Sequence, residues 1–353
     1  MMQLIHKKRF WVSVLFAQFL LFFALSRFPL AIEFFQSFFG WKKYAQQWLL
    51  AKIPFSVGDV LYVLLGCYLV FIFIKIWGKS QRNFYLKRLL ISLNIGYLVY
   101  QLSWGMLYFQ PPIIRLLPTD EPTINEAKSL AIKYLHRCKT TRQQAPENHD
   151  GVFMITDFNA LEQEILNLQT SIPSPILHGK NPEKISNFKP SLFGNIMNFS
   201  GILGYYNPFT TEAQYNAHLP HTYIPFTLSH ESAHQLGYAR EQEANFIGYL
   251  IGKDSKNISL KYSTEYFVLK SLIRYLAAHD EAFVKNILEN YSPKMKRDAQ
   301  YEKLFFQKHQ GVLDDFFAFT NDLFLKSNQQ EGSVTYSYFV DLLIRYERKS
   351  SHL

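Results

Sequence analysis

The chain has 353 residues and a formal net charge of +9, and it is 48% hydrophobic and 17% aromatic, with 32 Phe and 22 Tyr. That length admits more than one structural unit, and the apolar content, concentrated near the N-terminus, is too high for an ordinary soluble domain. The positive charge reads as basic flanks on membrane helices plus a mildly basic domain. No basic face with its own motif accompanies it, so no nucleic-acid partner is expected.

Three apolar stretches come first, over residues 10–28, 55–77 and 89–109. Each is long enough to cross a hydrocarbon core of roughly 30 Å. The first lacks a small-residue cleavage site, and Arg27 and Phe28 follow instead, so it reads as a retained anchor. The third holds Asn94, Gln101 and Ser103, which turns it toward the other helices. Lys7, Lys8 and Arg9 precede the first stretch, and Lys75, Lys79, Arg82, Lys87 and Arg88 lie between the second and third. Both groups are expected in the cytoplasm. The loop with Lys42, Lys43 and Lys52 is less densely charged. The expected organisation is a three-span anchor over 1–110, with its N-terminus inside, and an extracytoplasmic domain over 111–353. In a bacterium this is the inner membrane with the domain in the periplasm, and the lipid bilayer is a partner. Cys67 falls in a span and Cys138 in the domain, so no disulfide between them is expected.

Pro111 and Pro112 mark the exit from the membrane. Thr123 and Glu126 form a capping-box pattern that opens a helix to about Arg142. A polar loop follows, then a helix from Thr156-Asp157 with Leu161, Ile165 and Leu168 on one face. Residues 171–190, with four prolines, read as an irregular loop. Residues 192–206 alternate apolar with small or polar side chains and read as one or two short strands. Such a strand serves either as a substrate-pairing edge or as a structural hairpin. Helices are expected over 259–279, 280–290, 292–307, 313–326 and 334–348. The fold class is therefore mainly α with a small β element.

The chemistry concentrates in Thr227-Leu228-Ser229-His230-Glu231-Ser232-Ala233-His234-Gln235-Leu236-Gly237, an HExxH motif outside the apolar stretches. Residues four apart share a helix face, so His230 and His234 can aim at one ion, Zn2+, with Glu231 beside them to take a proton from water. A catalytic zinc takes a third protein ligand. Gly237 ends the helix, and the next one opens with Glu241 and Glu243, about 200° apart on a helical wheel, so one of them faces the metal. Glu241 is favoured, because Asn245 shares its face and can hydrogen-bond a ligand histidine. Glu243 stays open as the alternative. The metzincin spacing would put a ligand at Arg240, which cannot bind zinc. His218 and His221 read as loop histidines near the mouth of the site.

The run HESAHQLGYAREQEANFIGYL resembles the core motif of a bacterial membrane-anchored family, domain of unknown function 3810. Residues 204–213 (GYYNPFTTEA), residues 336–344 and the N-terminal apolar stretches extend the resemblance over nearly the whole chain. Its Glu-x-x-Ala-Asn element is similar to the Glu-x-x-Ala-Asp of HExxH peptidases whose third ligand is the Glu. The resemblance implies a zincin-like fold for 111–353 and supplies no substrate. It also implies a tyrosine that stabilises the oxyanion, with Tyr336 the candidate and Tyr205 or Tyr206 behind it. The expected function is a membrane-anchored zinc metallopeptidase, a hydrolase acting on a peptide or protein substrate outside the cytoplasm. The alternatives are a non-catalytic zinc-binding sensor or scaffold, and a zinc amidase acting on cell-wall peptides.

Overall fold

A computed structural model describes residues 7–78, 81–310 and 335–351. The chain forms two compact units, Met1–Gln110 together with Asn207–Glu212, and Pro111–Tyr206 together with Ala213–Leu353.

The first unit is built from α1 (Lys8–Leu25), α2 (Pro29–Leu50), α3 (Val57–Trp77) and α4 (Arg82–Ser103), closed by a 3-10 turn, Gly105–Phe109. Helices α1 and α3 are long and apolar enough to cross a membrane. They leave large apolar side chains bare all round, among them Phe16, Phe19 and Phe23 on α1 and Leu64, Val70 and Ile74 on α3. A surface of that kind suits lipid and not water.

The expectation of three spans is corrected to two by this measure. Charged Arg82, Lys87 and Arg88 occupy the start of α4, and the α-helix stops at Ser103. Its apolar part therefore rises only about 22 Å at ~1.5 Å per residue, short of a core of roughly 30 Å. Helix α4 nevertheless runs beside both apolar helices. Lys8 Nζ donates to Asn83 Oδ1 at 2.8 Å at one end. Asn94 Nδ2 donates to the Trp11 carbonyl at 3.0 Å, Gln18 Nε2 donates to Asn94 Oδ1 at 3.1 Å, and Tyr68 and Ser92 hydroxyls lie 2.8 Å apart. Asn94 and Ser103 are buried, as their polarity in an apolar stretch requires.

A second correction concerns the segment between the first two apolar stretches, expected as a connecting loop holding Lys42, Lys43 and Lys52. Residues 29–50 form α2, which opens at Pro29, where a missing N–H costs nothing. It buries Ile32, Phe35, Phe39, Lys43 and Gln47. Phe35 packs against Phe22 with ring centroids 6.2 Å apart, in a small core shared with Met106. Lys42 Nζ reaches the Ser103 carbonyl at 3.4 Å, at the C-terminus of α4. The same unit holds Asn207–Glu212: Lys42 donates to the Pro208 carbonyl at 2.5 Å and Gln46 to the Phe209 carbonyl at 2.5 Å. The buried Glu212 carboxylate accepts from the free N–H groups of Val57 and Gly58, at 3.0 and 2.6 Å. A negative charge there complements the N-terminal dipole of α3.

The second unit is helical around a small sheet. Helix α5 (Ile124–Gln144) opens with the expected capping box at Thr123 and Glu126. Then come α6 (Phe158–Leu168), α7 (Ile224–Gln235), α8 (Glu241–Gly252), α9 (Ile258–Ala277), α10 (Glu281–Glu289), α11 (Pro293–His309) and α12 (Thr335–Ser351). The core gathers Tyr134, Leu161, Ile165, Phe246, Tyr249 and Tyr262, all fully buried. The sheet has strands β1 (Phe188–Pro190), β2 (Gly204–Asn207) and β3 (Glu212–Tyr215) in the order β1-β3-β2. β1 runs parallel to β3 with Phe188 opposite Ala213, and β2 is an edge. The alternating stretch 192–206 becomes a short helix, Gly194–Asn198, and only then a strand. The helix expected over 313–326 lies outside the described residues.

Candidate metal centre

Helix α7 carries the motif, and nearly every residue on it is buried. Its end is set by Gly237, whose φ of +92° is open to glycine at little cost. The Gly237 N–H donates to the His234 carbonyl at 2.9 Å and the Tyr238 N–H to the Ala233 carbonyl at 3.2 Å, the paired bonds of a Schellman turn. The turn folds the Tyr238 carbonyl back onto its own helix, 2.6 Å from His234 Nδ1. Arg240, in extended conformation, then starts α8 with Glu241 as its first residue. Helix α8 passes close behind α7: a Cβ on Gly248 would stand 3.2 Å from the His230 nitrogen.

These turns bring His230, His234 and Glu241 together. The two Nε2 atoms are 3.2 Å apart, His230 Nε2 is 3.2 Å from Glu241 Oε2, and His234 Nε2 is 3.6 Å from Glu241 Oε1. Each far ring nitrogen faces an acceptor, Asn245 Oδ1 at 2.8 Å for His230 and the Tyr238 carbonyl for His234. In the neutral form of each ring these acceptors favour the proton on Nδ1, which leaves the Nε2 atoms facing each other and a carboxylate. Such a group could hold a metal ion. Burial works against a charge on His234, but Glu241 and Glu231 outweigh it and lift its pKa to about 9. Burial also opposes charge on Glu241, yet the two histidines hold it well below the usual carboxylate range.

The donor set fits zinc in chemistry and in size. Two His and one Glu leave one position open on a four-coordinate ion, and ligands at ~2.0–2.1 Å in a tetrahedron are about 3.3 Å apart. The observed separations bracket that edge.

Glu231 lies beside the cluster, 3% exposed, and its Oε2 has no hydrogen-bond partner among the described residues. Burial pushes its carboxyl up to about 7, against the pull of His230 and His234. Strand β2 presses on it: a Cβ on Gly204 would stand 2.8 Å from Glu231 Oε1. The ring of Tyr206, buried on the same strand, lies 6.4 Å from that of His234.

Glu243 faces elsewhere. It accepts from the Ile113 N–H at 2.9 Å and pairs with Arg240 at 3.1 Å. His221 Nδ1 accepts from the Ile155 N–H, and His218 packs beside Gly194, so neither joins the cluster. Tyr205 shares a hydrogen bond with Ser191. Tyr336 stands in the first turn of α12, and its side chain lies outside the described residues. The sequence reading missed the Tyr238 carbonyl, although a glycine placed to end α7 signals that the next residue folds back. It also missed Gly204 and Gly248, whose signal was only the absence of a side chain in an apolar context.

A mainly helical chain with apolar N-terminal helices and a partly buried His-His-Glu cluster is thus defined. It belongs to the family described as Protein of unknown function (DUF3810), which matches residues 34–344. No curated protein and no solved structure matches the chain.

Proposed function

We propose that the protein is a membrane-anchored, zincin-like metallopeptidase that hydrolyses peptide bonds outside the cytoplasm. The observation that carries the reading is the triangle of His230 Nε2, His234 Nε2 and a Glu241 oxygen at zinc-ligand spacing, with both histidine tautomers set by acceptors on the far side. Zinc, when bound, acts as a Lewis acid that acidifies water and polarises a carbonyl. Glu231 takes the proton of the attacking water on its carboxylate and delivers it to the leaving amine nitrogen. Its burial suits the task, because a carboxyl lifted toward neutrality both accepts and gives a proton. Strand β2, an edge beside Glu231, offers its backbone to an extended peptide.

The proposed sidedness is supported by the distribution of basic residues along the first unit. Lys8 and Asn83 meet at one end, where Lys7, Arg9, Lys87 and Arg88 also gather along the chain. Lys42 and Ser103 meet at the other, from which residue 111 onward departs. The basic end is cytoplasmic by the positive-inside rule. The opposite end, where residue 111 follows, is on this proposal the periplasmic one in a bacterium.

The test uses the full chain in detergent. Purified protein holds one zinc and cleaves members of a peptide library. Glu231→Gln keeps the zinc and loses cleavage, and His234→Ala loses both. Full cleavage by Glu231→Gln would sink the mechanism, and stoichiometric zinc without any cleavage would favour a sensor. Alkaline phosphatase fused after residue 353 is active if the sidedness is right and inactive if it is not.

A further inference from the structure

Helix α2 leaves an apolar stripe bare while two polar side chains are buried beside Ile32, Phe35 and Phe39. Its buried face includes Lys43 and Gln47, 6% and 3% exposed, while Leu30, Phe34, Trp41, Tyr44 and Trp48 are each more than 60% exposed. Those five fall at spacings of four, seven, three and four, which places them along one stripe of the helix. Helix α2 does not pass the length-and-apolarity measure that α1 and α3 pass.

Chain reach decides where the helix can lie. It starts four residues after α1 ends and is 22 residues long, so it spans about 33 Å. Six residues, 51–56, then connect it to the start of α3. They reach about 20 Å at most. Had α2 run the depth of the bundle, the chain could not have returned to Val57. Its contacts agree: the Phe39 ring lies tilted against that of Trp104, centroids 5.8 Å apart, and Lys42 reaches the Ser103 carbonyl, both at the C-terminal end of α4. The helix therefore lies across that end of the unit.

We infer that α2 rests in the headgroup zone of the bilayer, parallel to its plane, with the stripe from Leu30 to Trp48 turned toward the acyl chains. The occupant of the stripe is lipid. Trp and Tyr prefer that zone, where an apolar ring and a polar edge are both satisfied. The stripe also continues the bare apolar surface of α1 through Phe23 and Phe28. A helix of this kind sinks about 5–10 Å into the boundary. It fixes the height of the first unit in that leaflet. The inference rests on the membrane-anchor reading.

Spin labels test the two separately in vesicles of phosphatidylethanolamine and phosphatidylglycerol. Native Cys67, exposed on α3, reports the span, and buried Cys138 stays unlabelled. In a Cys67→Ser background, Trp41→Cys, Tyr44→Cys and Trp48→Cys report the stripe, and His149→Cys gives the aqueous reference. Collisions with oxygen, which partitions into lipid, should exceed those with a water-soluble nickel chelate several-fold at all three stripe positions relative to residue 149. Equal nickel access at the stripe and at residue 149 would overturn the inference while Cys67 still reports lipid. Spin–spin broadening that disappears on dilution with unlabelled protein would overturn it in favour of a second copy. Nickel access at Cys67 would instead overturn the anchor reading.

Discussion

Gly204→Ala is a small change aimed at one oxygen. The new Cβ would stand 2.8 Å from Glu231 Oε1, 2.8 Å from Thr227 Cγ2 and 2.9 Å from the Gln214 carbonyl. Ordinary contact begins at about 3.4 Å, so something must yield by about 0.6 Å. The Gln214 carbonyl belongs to β3, the neighbouring strand, and has little freedom. The Glu231 carboxylate, at the end of a side chain, moves most. Misplacing a catalytic group by ~1 Å costs about 100-fold, so kcat/KM should fall roughly 10- to 100-fold, or ~1.4–2.7 kcal/mol. Overpacking costs a further ~1–3 kcal/mol of stability. Zinc content should not change, because the ligand atoms of His230, His234 and Glu241 are untouched. The assay combines metal analysis, thermal melting and peptide cleavage on the full chain. Wild-type cleavage, or a loss of zinc in step with activity, would refute the idea that β2 acts on Glu231 alone.

Other expectations separate the remaining parts of the site. Asn245→Ala frees His230 Nδ1 and should weaken zinc about 10- to 100-fold in chelator competition, with the fold intact. Glu241→Gln should release zinc at chelator concentrations that the wild type resists. Glu243→Gln should keep zinc and lower the melting temperature, since it weakens the bonds to Arg240 and the Ile113 N–H. Removing zinc with a chelator should abolish cleavage, and zinc should restore it. At acid pH the Arg348 guanidinium beside Glu126 holds that carboxyl at about 2. A depressed folded-state pKa contributes stability above the ordinary carboxylate range, and that stability is lost as pH falls toward about 2. Glu126→Gln should therefore flatten the melting temperature between those limits, compared with the wild type.

The parts of the site legible in the sequence were those governed by helical periodicity. His230 and His234 four apart, and Glu241 sharing a face with Asn245, follow from 3.6 residues per turn, and the geometry sets Glu243 on the other side. The capping box at Thr123 was equally local. What the sequence hid depends on partners distant along the chain. Lys42 and Lys43 read as loop residues because they lie between two apolar stretches, yet here one donates to the Ser103 and Pro208 carbonyls and the other is buried. The third apolar stretch looked continuous through Phe109, but its α-helix ends at Ser103. Gly204 resembled a strand breaker, and its closeness to Glu231 came only with the folded sheet.

Six residues make the order of the chain a poor guide to where it may be cut. Asn207–Glu212 is the turn between β2 and β3, yet it belongs to the same unit as the N-terminal helices. A gene trimmed to begin at residue 111 would encode His230, His234 and Glu241 intact. It would also delete the two amides that Glu212 caps and the lysine and glutamine that hold Pro208 and Phe209. Residues 208 and 209 would then have lost those partners. An inactive fragment of that kind would report on the surgery, and a screen for substrates is better run on the undivided chain in lipid.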